Sequence, residues 1–156
     1  MGPSKNKTQF ESVVSYIEEA KADGISLLYG GENNNENGYF IEPTIFEVEN
    51  NQLKLVQEEI FGPVISIMKY STFDEAIALS NETKYGLSAS LFSNDIKEIM
   101  QFVRDIEVGM VRVNAETSGV ELHAPFGGLK DSSSYSREQG RAAMDFYTSI
   151  KTVFIK

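Results

Sequence analysis

The sequence has no cysteine. That excludes a disulfide framework and leaves no thiol to act as a nucleophile. The single histidine, His123, has no evident triad partner, and no Gly-x-Ser-x-Gly elbow is present, so serine-based acyl transfer is not written into the chain either. Also missing is a Gly-x-Gly-x-x-Gly turn, the usual seat of a dinucleotide pyrophosphate. Basic residues are few: 14 Lys and Arg against 23 Asp and Glu give a net charge of -9. This sign argues against nucleic acid or an anionic membrane as a partner. There is no run of about 18 apolar residues to span a bilayer, and no basic leader backed by an apolar segment. The expected location is the cytoplasm.

What is present is an ordinary globular composition, 41% hydrophobic and 24% charged over 156 residues, the length of a single domain. The most constrained stretch is Gln57-Glu58-Glu59-Ile60-Phe61-Gly62-Pro63-Val64. It sets two carboxylates and a ring before a rigid turn, because proline restricts the residue before it and suits the first position of a strand. Val64 to Tyr70 then predicts a strand whose nearly unbroken apolar character suits cover on both faces.

Around this stretch the chain alternates helix and strand. Thr8-x-x-Glu11 predicts a helix start, with Phe10, Val13, Val14 and Ile17 on one face and a stop at Asp23-Gly24. A strand is expected over Ile25 to Tyr29. A polar loop follows over Gly30 to Gly38, whose acidic residues favour a plain connection over a phosphate site. Extended pieces are expected at Tyr39 to Ile41 and Thr44 to Val48. Thr72-x-x-Glu75 and Ser93-Asn94-Asp95 predict two further helix starts, and Leu87 to Phe92 and Met110 to Val113 two further strands. Ser136-Arg137-Glu138-Gln139 reads as a cap for a last helix, and Thr152 to Ile155 as a terminal strand. Such alternation defines an α/β fold with a mostly parallel open sheet and flanking helices.

Asn114 to Ser136 is the longest segment without a regular pattern, and loops of this length tend to be functional. It holds His123, Phe126, the Gly127-Gly128 pair and three serines, Ser132 to Ser134, which read as a polar turn. Phe126 suits either core packing or contact with a substrate.

Five motifs in order, Gly38-Tyr39-Phe40-Ile41-Glu42-Pro43-Thr44, Glu58 to Val64 (EEIFGPV), Lys84-Tyr85-Gly86-Leu87, Gly109 to Asn114 (GMVRVN) and Pro125 to Lys130 (PFGGLK), resemble the NAD(P)-dependent aldehyde dehydrogenase family. The likeness runs from Met1 to Lys156, and in that family the nucleotide-binding domain, the catalytic cysteine and the general-base glutamate lie N-terminal to the part matched. The resemblance therefore implies residues 1–156 as one domain, the C-terminal portion of a catalytic domain, with an oligomerisation strand near 151–156. It implies oxidation of a small aldehyde to an acid with NAD or NADP, through a cysteine thiohemiacetal and thioester. The isolated chain is expected to hold no catalytic residue, no metal and no bound cofactor, and to be inactive. By position, Glu59 would accept hydrogen bonds from the nicotinamide ribose hydroxyls, Phe61 would pack near the nicotinamide, and Phe126 would line the substrate pocket. A homo-oligomer is expected.

Thr117 to Gly128 and Ser132 to Gly140 resemble a bacterial branch that includes 2-oxoglutarate semialdehyde dehydrogenases. Lys130, His123 and Arg112 are the candidate cations for an acidic aldehyde. The family's usual Lys-x-Ser-Gly-x-Gly-Arg-Glu pattern is altered here, with serines where two glycines would stand. The rival implication is a truncated, non-catalytic paralogue that acts as a binding or assembly module.

Overall fold

A computed structural model describes residues 2–34, 36 and 38–156; Met1, Asn35 and Asn37 lie outside the described residues, the last two within the predicted Gly30–Gly38 loop. The chain divides into two compact units, Met1–Ser71 and Thr72–Lys156.

The first unit is built on α1 (Lys7–Ala22), whose Phe10, Val13, Ile17 and Ala20 recur at spacings of three and four and are all buried. The cap is Asn6 rather than Thr8. Its side chain accepts from the Gln9 N–H at 2.9 Å, and its backbone is extended, whereas Thr8 already lies inside the first turn. Next come β1 (Ser26–Tyr29), β2 (Asn33–Asn34), β3 (Phe40–Ile41), β4 (Thr44–Glu47), a one-turn helix α2 (Lys54–Gln57) and β5 (Val64–Ile67). β2 and β3 pair antiparallel, so part of the predicted loop is a short hairpin.

The main sheet has the order β1-β4-β5, antiparallel between the first two and parallel between the last two. Thr44 and Phe46 face α1 and are fully buried, and Ile41, Val48 and Leu55 complete that core. Each large apolar side chain so buried contributes about 1.5–3 kcal/mol. The expectation of two covered faces for β5 is not met in this unit. Ile65 and Ile67 are 56% and 43% exposed, and β5 lies at the edge of its sheet with no further strand paired to it among the described residues.

The second unit runs α3 (Phe73–Asn81), β6 (Tyr85–Gly86), β7 (Ser88–Leu91), α4 (Ile96–Asp105), β8 (Met110–Val113), β9 (Leu129–Lys130) and α5 (Ala142–Tyr147). Thr72 caps α3 as expected, accepting from the Glu75 N–H at 3.2 Å, and Asp95 caps α4, accepting from the Lys97 N–H at 2.7 Å. β7 and β8 are parallel, with Ser88 opposite Met110 and Leu91 opposite Val113. The crossover helix between them, α4, buries Phe102 and is followed by buried Ile106, which pack with Ile77 of α3, Ala89 and Val111. This is the strand-helix-strand unit that the sequence predicts. β6 pairs antiparallel with β9, which lies inside the long segment from Asn114.

The last helix begins at Ala142, later than the Ser136 cap implies. The Glu138 N–H donates to Phe126 O at 2.9 Å and the Gly140 N–H to Leu122 O at 3.1 Å, so residues 138–140 are spent on the preceding loop instead of opening a helix. Beyond α5, Thr152 to Ile155 pairs with no strand among the described residues. Ile150, Phe154 and Ile155 are each more than 90% exposed there.

Candidate functional site

The loop from Glu58 to Pro63 connects α2 to the parallel edge strand. Phe61 adopts a left-handed backbone (φ 52), a conformation that costs a non-glycine residue about 1–3 kcal/mol. Three contacts from one face of α1 hold it there. Gln9 Nε2 donates to Phe61 O at 2.8 Å, Gly62 lies against Val13, and the Tyr16 hydroxyl donates to Glu58 Oε2 at 2.5 Å. A Cβ at position 62 would come within 2.6 Å of Val13 Cγ2, so only glycine fits without displacing a fully buried side chain. Ile60 packs on the core beneath.

The outcome is selective display. Glu58 is engaged, while Glu59 is exposed and makes no hydrogen bond or ion pair among the described residues; Phe61 is 74% exposed. The hydrogen bond to Glu58, together with partial desolvation, raises the Tyr16 phenol above its ordinary value of 10.0. Open clefts lined by Tyr16, Glu19 and Leu55 and by Asp23, Glu47 and Asn50 include neither Glu59 nor Phe61.

Phe126 belongs to the second unit, where it is half-buried at the centre of a loop tied through its own carbonyl to Glu138. The Gly127-Gly128 pair after it is a close-approach site: a Cβ on Gly109 would lie 1.9 Å from Gly127 O. Arg137 Nη1 donates to Gly128 O at 3.0 Å and to Ser136 O at 2.9 Å, which fastens the loop from the other side. The serines form a turn. Ser132 Oγ accepts from the Gly86 N–H and Ser133 Oγ from the Tyr135 N–H, both at 3.0 Å. The left-handed step that a glycine would usually take falls on Tyr135 (φ 65).

Of the three candidate cations, Lys130 is already committed. Its Nζ donates to Asn81 O at 2.6 Å and Thr83 O at 3.2 Å and pairs with Glu107 at 2.8 Å. Arg112 makes one 3.3 Å contact, to Gly119 O, and His123 is exposed without a hydrogen-bonding partner for its ring among the described residues. No group of three or more His, Cys, Asp or Glu is disposed to hold a metal among the described residues. No helix among them is long and apolar enough to cross a membrane.

The first unit thus displays a carboxylate and a ring at the entry to a parallel strand. Residues 1–153 match the aldehyde dehydrogenase family. The chain is 51% identical to the alpha-ketoglutaric semialdehyde dehydrogenase of Bacillus subtilis, over 100% of this chain and 33% of that protein. It is 45% identical to the alpha-ketoglutarate semialdehyde dehydrogenase of Haloferax volcanii, over 99% of this chain and again 33% of the relative. Among solved structures, a Mycobacterium tuberculosis aldehyde dehydrogenase complexed with NAD+ superposes with a TM-score of 0.87 at 34% identity, covering 96% of this chain and 31% of that one. The chain belongs to the aldehyde dehydrogenase family. It spans about a third of the length of the curated relatives it matches.

Proposed function

We propose that the chain forms the C-terminal part of the catalytic domain of an NAD-dependent aldehyde dehydrogenase acting on a small aldehyde, with 2-oxoglutarate semialdehyde the favoured substrate. The observation that carries the cofactor role is Glu59. It is an exposed carboxylate left unpaired among the described residues, while its neighbour Glu58 is engaged by Tyr16. A carboxylate accepts only, and its two oxygens can take both vicinal hydroxyls of a ribose. Phe61, held with its ring open to solvent, restricts how a nicotinamide beside it can swing. These two residues therefore fit a nicotinamide riboside, which when bound supplies the electron acceptor for aldehyde oxidation. In the second unit, Phe126 is the residue proposed to contact the aldehyde in the complete enzyme. The thiol and the base that activates water come from outside these 156 residues, which contain no cysteine. The names of the Bacillus and Haloferax relatives support the substrate class. With Lys130 committed, Arg112 and His123 are the remaining candidates for its carboxylate. The setting proposed is the cytoplasm, and the assembly a homo-oligomer.

The test is Glu59→Gln in the enzyme that contains this chain. Loss of a charge-assisted pair of hydrogen bonds should slow single-turnover NADH formation by about 10–100-fold, with NAD affinity changed much less. Unchanged single-turnover rates would remove the assignment. NADH formation by the 156-residue chain alone would overturn the whole reading. A dedicated heterologous partner recovered with that chain would favour a non-catalytic assembly module instead.

A further inference from the structure

α1 carries three residues at i, i+4 and i+7, Gln9, Val13 and Tyr16, and each meets a different part of the 58–62 loop. Residues at this spacing lie on one helix face. The ends of the loop are thus clamped to a single rigid rod, with Ile60 packed on the core between them and Glu59 and Phe61 facing out. Gln9 is fixed at both ends: its Oε1 accepts from the Lys5 N–H at 2.9 Å while Nε2 donates to Phe61 O. The amide therefore cannot rotate away without giving up the Lys5 contact. Phe61 needs such a hold, since its left-handed backbone is not one that a phenylalanine adopts unaided.

We infer that Gln9 and Tyr16 are positioning residues: they fix the 58–62 loop in the conformation that presents Glu59 and Phe61, and so act on the cofactor without touching it. The functional half of this inference rests on the cofactor role proposed above for Glu59 and Phe61. The structural half does not.

Two substitutions isolate the contacts. Gln9→Glu keeps the length and the Lys5 acceptor but removes the donor to Phe61 O, and Tyr16→Phe keeps the ring but removes the hydroxyl. In the 156-residue chain, backbone NMR order parameters at Phe61 and Gly62 should fall from about 0.85 toward 0.6 or below in the double variant, while the α1 amide shifts, which report the fold, stay in place. Unchanged order parameters would overturn the inference. In the enzyme containing this chain, each single variant should slow single-turnover NADH formation by about fivefold, with the KM for aldehyde unchanged. A mobile loop with an undiminished rate would leave the α1 clamp standing and would instead overturn the cofactor role of Glu59 and Phe61.

Discussion

Tyr16 and Glu58, 42 residues apart in the chain, are joined by a 2.5 Å hydrogen bond that ties the middle of α1 to the start of the loop. Because only the protonated phenol can donate, the folded state holds that proton more tightly than the unfolded state does. The phenol is raised above 10.0 in the fold, so the stability it contributes is complete below pH 10.0 and is lost as pH rises through the folded value. Chemical denaturation across this range should show the advantage of the native chain over Tyr16→Phe shrinking above pH 10.0. A difference independent of pH would show that the hydroxyl is not the source.

Gly62 is where packing decides between residues differing by one methyl group. Its backbone lies outside the left-handed region, so alanine is tolerable in conformation, and the 2.6 Å approach to Val13 alone sets the outcome. Gly62→Ala should cost about 1–3 kcal/mol, seen as a lowered melting temperature. Combining it with Val13→Ala should recover part of the loss. Simple additivity of the two variants would mean that they do not meet.

Lys130 joins the C-terminal ends of α3 and α4 to β9 through Asn81, Thr83 and Glu107. Asn81 reinforces the same junction, donating to Asp105 O and accepting from the Glu107 N–H, both at 2.9 Å. Lys130→Met keeps the stem and removes the charge, leaving helix-end carbonyls without their donor. We expect a loss of about 2 kcal/mol, read as a lower urea midpoint at unchanged m.

The segment after α5 presents Ile150, Val153, Phe154 and Ile155 at exposures from 65% to 92%. An apolar run left this open favours association. Sedimentation of the 156-residue chain should reveal multimers that dissociate when Phe154 and Ile155 are changed to serine, with the melting of the monomer unaffected. A monomer at high concentration before substitution would dispose of this expectation.

Much of the fold was legible because α1, α3 and α4 pair an apolar period with a nearby cap, and local signals of that kind survive in the absence of tertiary information. Thr72 and Asp95 were readable for this reason. Thr8 was misleading because a better acceptor, Asn6, stood two residues upstream. Ser136 misled because the competition was remote: Phe126 and Leu122 accept the N–H groups of residues 138 and 140, and no local pattern records that. The pairing of β6 with β9 spans more than forty residues and is equally silent in the sequence. Motif likeness is what points to Glu59 and Phe61 as candidates. Nothing in the sequence points to the helix face that holds their loop, since Gln9 and Tyr16 have no meaning until α1 lies against it.

The enclosure of Lys130 has a chemical corollary. Its side chain is 22% exposed and ringed by three acceptors, whereas those of Lys7 and Lys69 are 70% and 86% exposed. A water-borne acylating reagent will therefore mark Lys7 and Lys69 early and Lys130 last. The order in which the lysines are labelled becomes a native footprint of whether the knot around Asn81 is tied.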